Sequence, residues 1–217
     1  MTDIAVYIEG GGDTAGQKAE LRQGFDLLLA ASKAKASEKR GSLRFICCGG
    51  RQQAYEAFLN SIKATINALL VDSESPLPPV PAGRAQDAEL RVAHLQKKDG
   101  TGGRGQGDAW QFLGIPCERV HLMVQCMETW IVADPDSLES FYKKNFKKDA
   151  LPTRSNLEEE PKADIYTKLE KATENTQKGK YGKIKHASKL LLLIDPEKVA
   201  ERCPRFAIFR DWLLEAI

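Results

Sequence analysis

Residues 4–12 read Ile4-Ala5-Val6-Tyr7-Ile8-Glu9-Gly10-Gly11-Gly12, an unbroken apolar run that meets one acid and then a glycine triplet. A run of this length cut off by glycine is the pattern of a strand buried on both faces that ends abruptly. Two later segments follow the same grammar: residues 43–48 end at Gly49 and Gly50, and residues 68–71 end at Asp72. Between the first two, Thr14 is placed to cap a helix over residues 15–39, where Leu21, Phe25, Leu28 and Leu29 recur at helical spacing and Gly41 closes the run. Between the second and third, Ala54, Ala57, Phe58 and Ile62 share one face of another helix. The order is βαβαβ with continuous apolar strands, which predicts an α/β fold with a parallel sheet of about four strands and helices on both faces.

Outward from this core the pattern loosens. Residues 75–106 carry Pro76, Pro78, Pro79, Pro81 and several glycines, the composition of a long functional or mobile loop, with one or two helical turns at residues 88–97. A fourth strand is expected at residues 119–124, followed by a helix from about Cys126 through Glu128 and Trp130. Asp136 is expected to cap a helix covering Leu138, Phe141 and Tyr142. Residues 163–173 are amphipathic, 178–185 read as a lysine- and glycine-rich loop, 186–194 are apolar, and Pro204 begins a final helix through Phe209, Trp212 and Leu213. No repeat or linker divides the chain. The expectation is one domain over residues 1–217, with 136–217 a mostly helical extension packed on it.

Composition narrows the class. A chain of 217 residues suffices for one ordinary core, and 42% hydrophobic with 29% charged residues is typical of globular proteins. The longest apolar runs, such as residues 190–194, fall far short of the roughly 20 residues that cross a bilayer. No basic segment followed by an apolar stretch opens the chain, so a secretory signal is not expected and a cytoplasmic, membrane-free protein is. The five cysteines are odd in number and lack CxxC spacing, which favours buried free thiols. Adjacent Cys47 and Cys48 should point to opposite faces of the sheet. A net charge of +2 neither requires nor excludes nucleic acid.

Parallel strands share one C-terminal edge, and ligands bind there at the topological switch point. Glu9 ends the first strand, Asp72 ends the third, and Glu74 follows two residues later. If those strands are neighbours, their backbones lie about 4.8 Å apart. Asp72 and Glu74 then project to one side, provided the chain stays extended. Three converging carboxylates repel one another unless a cation sits between them, and a set of hard oxygens selects Mg²⁺ or Mn²⁺. Each acid can alternatively cap a helix or face water. Glu128, after the fourth strand, is a candidate fourth carboxylate or an ordinary capping or paired acid.

The segments 4–10 and 69–74 resemble the two signature motifs of TOPRIM-like domains, shared by topoisomerases, primases and overcoming-lysogenization-defect nucleases. Those motifs place a glutamate after the first strand and an acid-x-acid pair after the third. The whole chain is more closely similar to a bacterial TOPRIM-like family, domain of unknown function 4276. Stretches 8–13, 48–51, 71–74, 94–95, 121–130, 178–186 and 194–196 carry that likeness. The resemblance implies a Rossmann-like fold and a Mg²⁺ site, with Glu9 as acid/base residue and Asp72 and Glu74 as metal ligands. It also implies a neighbouring ATPase partner, as in several prokaryotic defence systems. One departure is that Glu74 stands where TOPRIM motifs usually carry a second aspartate.

Other residues near this edge invite two readings each. Arg51, near the start of the second helix, holds a phosphate or is a surface arginine. Gly10 and Gly11 let a phosphate approach the backbone or simply make the turn; the full P-loop pattern is missing. Lys178, Lys180, Lys183 and Lys185, with Tyr181 and His186 interleaved, track a nucleic-acid backbone and stack a base, or form a solvated loop. His94 and His121 read as structural histidines, Trp110 and Trp130 as core, and Asp134 as a turn residue. The expected activity is metal-dependent phosphodiester cleavage, a nuclease acting on DNA or RNA. The alternative is a non-catalytic regulatory or interaction subunit of an ATPase.

Overall fold

The structure is a computed structural model that describes residues 2–61, 64–97 and 108–217. Four strands, β1 (Asp3–Ile8), β2 (Ser42–Cys47), β3 (Ile66–Asp72) and β4 (Val120–Met123), form one parallel sheet in the order β2-β1-β3-β4. Strands β1 and β3 are therefore neighbours, with Ile8 opposite Leu70 at the end of their register. Side chains alternate as the pleat requires. Ile4, Val6, Ile8 and Leu70 enter one apolar cluster, and Ala5, Tyr7, Leu69 and Val71 enter another on the opposite face. Cys47 and Cys48 divide between the same two clusters, and all five cysteines are free.

Helices α1 (Ala15–Leu28) and α2 (Ala30–Glu38) cover the first face, while α3 (Arg51–Leu59) and α4 (Arg84–Gln96) cover the second. This division follows from strand order. The chain moves one way from β1 to β2 and the other way from β2 to β3 and β4, so right-handed crossovers must pass on opposite sides. The result is the expected Rossmann-like arrangement, and it puts the switch point between β1 and β3.

Thr14 caps α1 as its sequence predicts, in a capping box with Gln17. The single helix expected over residues 15–39 is in fact two, broken at Leu29 (φ −114°, ψ 31°). The expected loop over residues 75–106 contains the 13-residue helix α4, longer than one or two turns, because its buried Ala88, Val92 and Leu95 pack on the sheet. Residues 98–107 of that segment, and Ile62, lie outside the described residues.

Six helices follow β4: α5 (Glu128–Ile131), α6 (Pro135–Tyr142), α7 (Lys162–Thr173), α8 (Lys183–Leu191), α9 (Pro196–Arg202) and α10 (Pro204–Ala216). Asp134, not Asp136, caps α6. Its carboxylate accepts the Ser137 amide at 3.3 Å, and Pro135 takes the first helical position, where it forfeits no bond. The expected lysine-rich loop ends at Gly182, so Lys183 and Lys185 stand on α8. Helix α9, capped by Asp195, buries only Val199, too few apolar positions to show a helical period in the sequence. Phe206, Phe209 and Leu213 of α10 and Leu190 and Leu191 of α8 join the same cluster as Ile4 and Phe45. No helix among the described residues is long and apolar enough to cross a membrane.

Helix α8 lies close against α1 at Gly24, where a Cβ would stand 2.8 Å from the Cβ of Leu191 and 3.1 Å from the Ser188 carbonyl oxygen. Only a residue without a side chain admits this approach. Gly24→Val should therefore lower the unfolding free energy by about 1–3 kcal/mol through overpacking, read as a reduced urea midpoint.

Candidate metal centre

At the end of β1 the backbone leaves the sheet, and the next amide of β3 would lose its partner. The Glu9 carboxylate supplies one: Oε2 accepts the Asp72 amide at 3.1 Å. The same oxygen receives Nη1 of Arg51 at 3.1 Å, and Nη1 also donates to the Asp72 carbonyl. Arg51 is held in turn by Asp108, at 2.9 and 3.0 Å from Nε and 2.7 Å from Nη2, and lies over the Trp110 ring.

Asp72 ends the central strand and is only 2% exposed. Its Oδ1 accepts the Met127 amide, just ahead of α5, at 2.8 Å, and its Oδ2 lies 3.5 Å from Nζ of Lys183. The chain does not stay extended beyond it. Glu74 adopts φ +65°, a conformation that costs a non-glycine residue of order 1 kcal/mol or more. Several bonds hold it there. The Ser73 hydroxyl accepts the Gln125 amide at 2.7 Å, the Glu74 amide donates to the Gln125 carbonyl at 3.2 Å, and His94 Nε2 contacts the Ser73 carbonyl at 2.8 Å. The turn still returns the Glu74 carboxylate to the group. Oxygens of Glu9, Asp72 and Glu74 lie within 4.8 Å of one another, close enough to share one metal ion.

Each acid also has a cationic neighbour. Arg51 serves Glu9, Lys162 reaches Glu74 at 2.7 Å, and Lys183 lies between Asp72 and Glu128 at 3.5 and 3.6 Å. These three cations are the first residues of α3, α7 and α8, whose caps Gly50, Pro161 and Gly182 contribute no side-chain bond. A cation at a helix N-terminus is disfavoured by the helix dipole, and here the carboxylates offset that.

Burial pushes the Asp72 carboxyl up to about 7, with Glu9 and Glu128 adding to the rise and Lys183 and Lys162 opposing it. For Lys183, burial pulls downward but the Asp72 and Glu128 carboxylates outweigh it, so the ammonium is held more firmly than usual. Arg51 and Lys162 are raised in the same way, against burial, by Asp108 and Glu9 and by Glu74. Burial lowers His94, with the Ser73 carbonyl opposing.

The remaining sequence candidates separate. Glu128 is wholly buried and lies beside the three-acid group rather than within it; Tyr181 donates to its Oε1 at 2.9 Å. Gly10 pairs with Gly49 in a two-residue bridge, and a Cβ on Gly11 would stand 3.0 Å from the Lys18 Cα, so both glycines serve the turn. They also line a cleft of about 200 Å³ that opens beside Glu9 and Lys183. The other lysines engage elsewhere: Lys178 lies over Phe141, Lys180 pairs with Glu170, and Lys185 donates to the Lys178 carbonyl. His186 and Tyr181, read as stacking platforms, are buried at 2% and 5% exposure, which places them beyond the reach of a base. Sequence reasoning missed Lys162, Asp108 and Gln125, since no spacing rule links them to the strand ends.

The raised Asp72 pKa carries a sign. Folding favours its neutral form, so the associated stability is present below the unfolded value near 4 and is lost as pH rises through about 7. In metal-free protein, the stability of Asp72→Asn relative to wild type should therefore improve steadily from pH 4 to 7, measured by urea unfolding of both proteins.

Residues 8–214 match the model of a family described as a domain of unknown function, DUF4276. Neither the curated proteins nor the solved structures yielded a match. Because the match takes in nearly the whole chain, and with it both strand ends that carry the acids, the protein belongs to the DUF4276 family.

Proposed function

We propose that the protein is a Mg²⁺- or Mn²⁺-dependent phosphodiester-cleaving enzyme of TOPRIM-like type, acting on nucleic acid. The observation that carries this reading is the convergence of Glu9, Asp72 and Glu74 at the switch point between β1 and β3. The donor set fits the ion: three carboxylates, hard oxygens without a cysteine or histidine among them. A divalent ion held there supplies charge neutralisation to a scissile phosphate and acidifies a nearby water. Asp72 and Glu74 are the anchoring carboxylates. Glu9, whose side chain is 18% exposed, stands where solvent reaches it and accepts the proton of the attacking water. Arg51 fixes the Glu9 carboxylate from one side, while Lys183 keeps positive charge beside the cleft that borders Glu9.

A second reading has its own support. With Arg51, Lys162 and Lys183 already on the acids, the isolated chain has the character of a closed site. A regulatory subunit of an ATPase, or a nuclease licensed by one, would be built this way.

Purified protein incubated with plasmid DNA and with RNA in Mn²⁺ should cleave at least one of them, and Glu9→Gln and Asp72→Asn should each reduce the rate about 100-fold or more. Cleavage that is unchanged in both variants would sink the enzymatic reading. Metal binding without turnover, together with co-purification of an ATPase, would favour the second. Binding also carries a pH signature. Asp72 must lose its proton to ligate, so Mn²⁺ affinity should fall as pH drops below about 7, with proton release measurable by calorimetry in buffers of different ionisation enthalpy.

A further inference from the structure

Next to the three-acid group is a carboxylate that its surroundings leave incompletely satisfied. Glu128 is 0% exposed. Its Oε1 receives the Tyr181 hydroxyl, but its Oε2 has no hydrogen-bond partner among the described residues. A buried carboxylate oxygen in that condition is costly unless positive charge lies close by. The nearby charge is Nζ of Lys183, 3.6 Å from Glu128 Oε2 and 3.5 Å from Asp72 Oδ2. One ammonium thus stands between two buried acids from different elements, β3 and α5, and Asp72 belongs both to this pair and to the group formed with Glu9 and Glu74.

Charge counting points the same way. Among the described residues the ion-paired set contains Glu9 and Asp108 on Arg51, Glu74 on Lys162, and Asp72 and Glu128 on Lys183. Above about pH 7, where Asp72 is ionised with the rest, five carboxylates against three cations leave a formal charge of two negatives, which one divalent ion neutralises. A second divalent ion, with Lys183 still in place, would leave the set positive.

We infer that Lys183 is the resident second cation of this centre: its ammonium fills the position between Asp72 and Glu128 that a second divalent ion would otherwise take, so the centre binds one metal ion. This rests on the metal-centre reading above and adds its stoichiometry. Removing the ammonium without shortening the side chain leaves two buried carboxylates facing an apolar tip, and a hard divalent ion is the ligand class that suits such a pair.

Mn²⁺ titration of the full chain at pH 8, read by electron paramagnetic resonance of free Mn²⁺ and by calorimetry, tests it. Wild type and Lys183→Arg should bind about one ion per chain, and Lys183→Met about two, as expected when an oxygen-lined vacancy replaces a fixed cation. Metal-free Lys183→Met should also melt below wild type and recover more on adding Mn²⁺. Two ions in wild type, or one ion in folded Lys183→Met, would overturn the assignment of Lys183 while leaving the metal centre standing. No ion bound by either protein would overturn both. If Lys183→Met fails to fold, the wild-type stoichiometry decides alone.

Discussion

A carboxylate at the end of a strand buried on both faces is the constraint around which the rest of the centre is arranged. Asp72 terminates β3, between β1 and β4, and almost none of it reaches solvent. An acid in that position costs several kcal/mol unless dipoles and charges surround it. The Met127 amide meets one of its oxygens, the Lys183 ammonium approaches the other, and Arg51 takes its main-chain carbonyl. Where α3, α5 and α8 begin is therefore bound up with one residue. The helical C-terminal part is no appendage to the sheet, since α7 and α8 bring the lysines that let the acids coexist.

A second buried charge network lies beside β4, where Arg91 donates to the Val120 carbonyl. Asp87 on α4 meets Arg91 and Arg205, and Arg205 on α10 also reaches Glu158 and the Pro78 carbonyl. The proline-rich segment after Glu74 is thereby tied to the last helix of the chain. Burial raises Glu158 to about 7, with Arg205 opposing the rise. The segment leaving the acid-x-acid motif is thus held at both ends, by the Ser73–Gln125 bonds and by Arg205. That restraint is what keeps Glu74 in a left-handed conformation which an unsupported glutamate would abandon.

Much of this was legible in the chain itself. The apolar runs that end at Glu9, Cys48 and Asp72 determined a parallel sheet, and the lengths between them determined crossover helices. Together they brought Glu9 and Asp72 to one edge, because period-two burial and strand polarity are local properties of a sequence. Thr14 and the pairing of Cys47 and Cys48 with opposite faces followed from equally local rules. The extended geometry expected at Glu74 did not hold, although the carboxylate arrived where expected. Its turn depends on Gln125, which is distant in sequence and shares no motif with it.

The cations were decided by tertiary structure alone. Nothing in residues 161–163 or 182–184 marks Lys162 as the partner of Glu74, 88 positions away, or Lys183 as the partner of Asp72, 111 positions away. Their helices begin at a proline and a glycine, not at the polar caps that announce a helix start, and propensity argues against a lysine there. Only when α7 and α8 pack against the sheet do the acids supply the charge that makes those positions favourable. Electrostatic complementarity acts through space, and sequence spacing records only what acts along the chain.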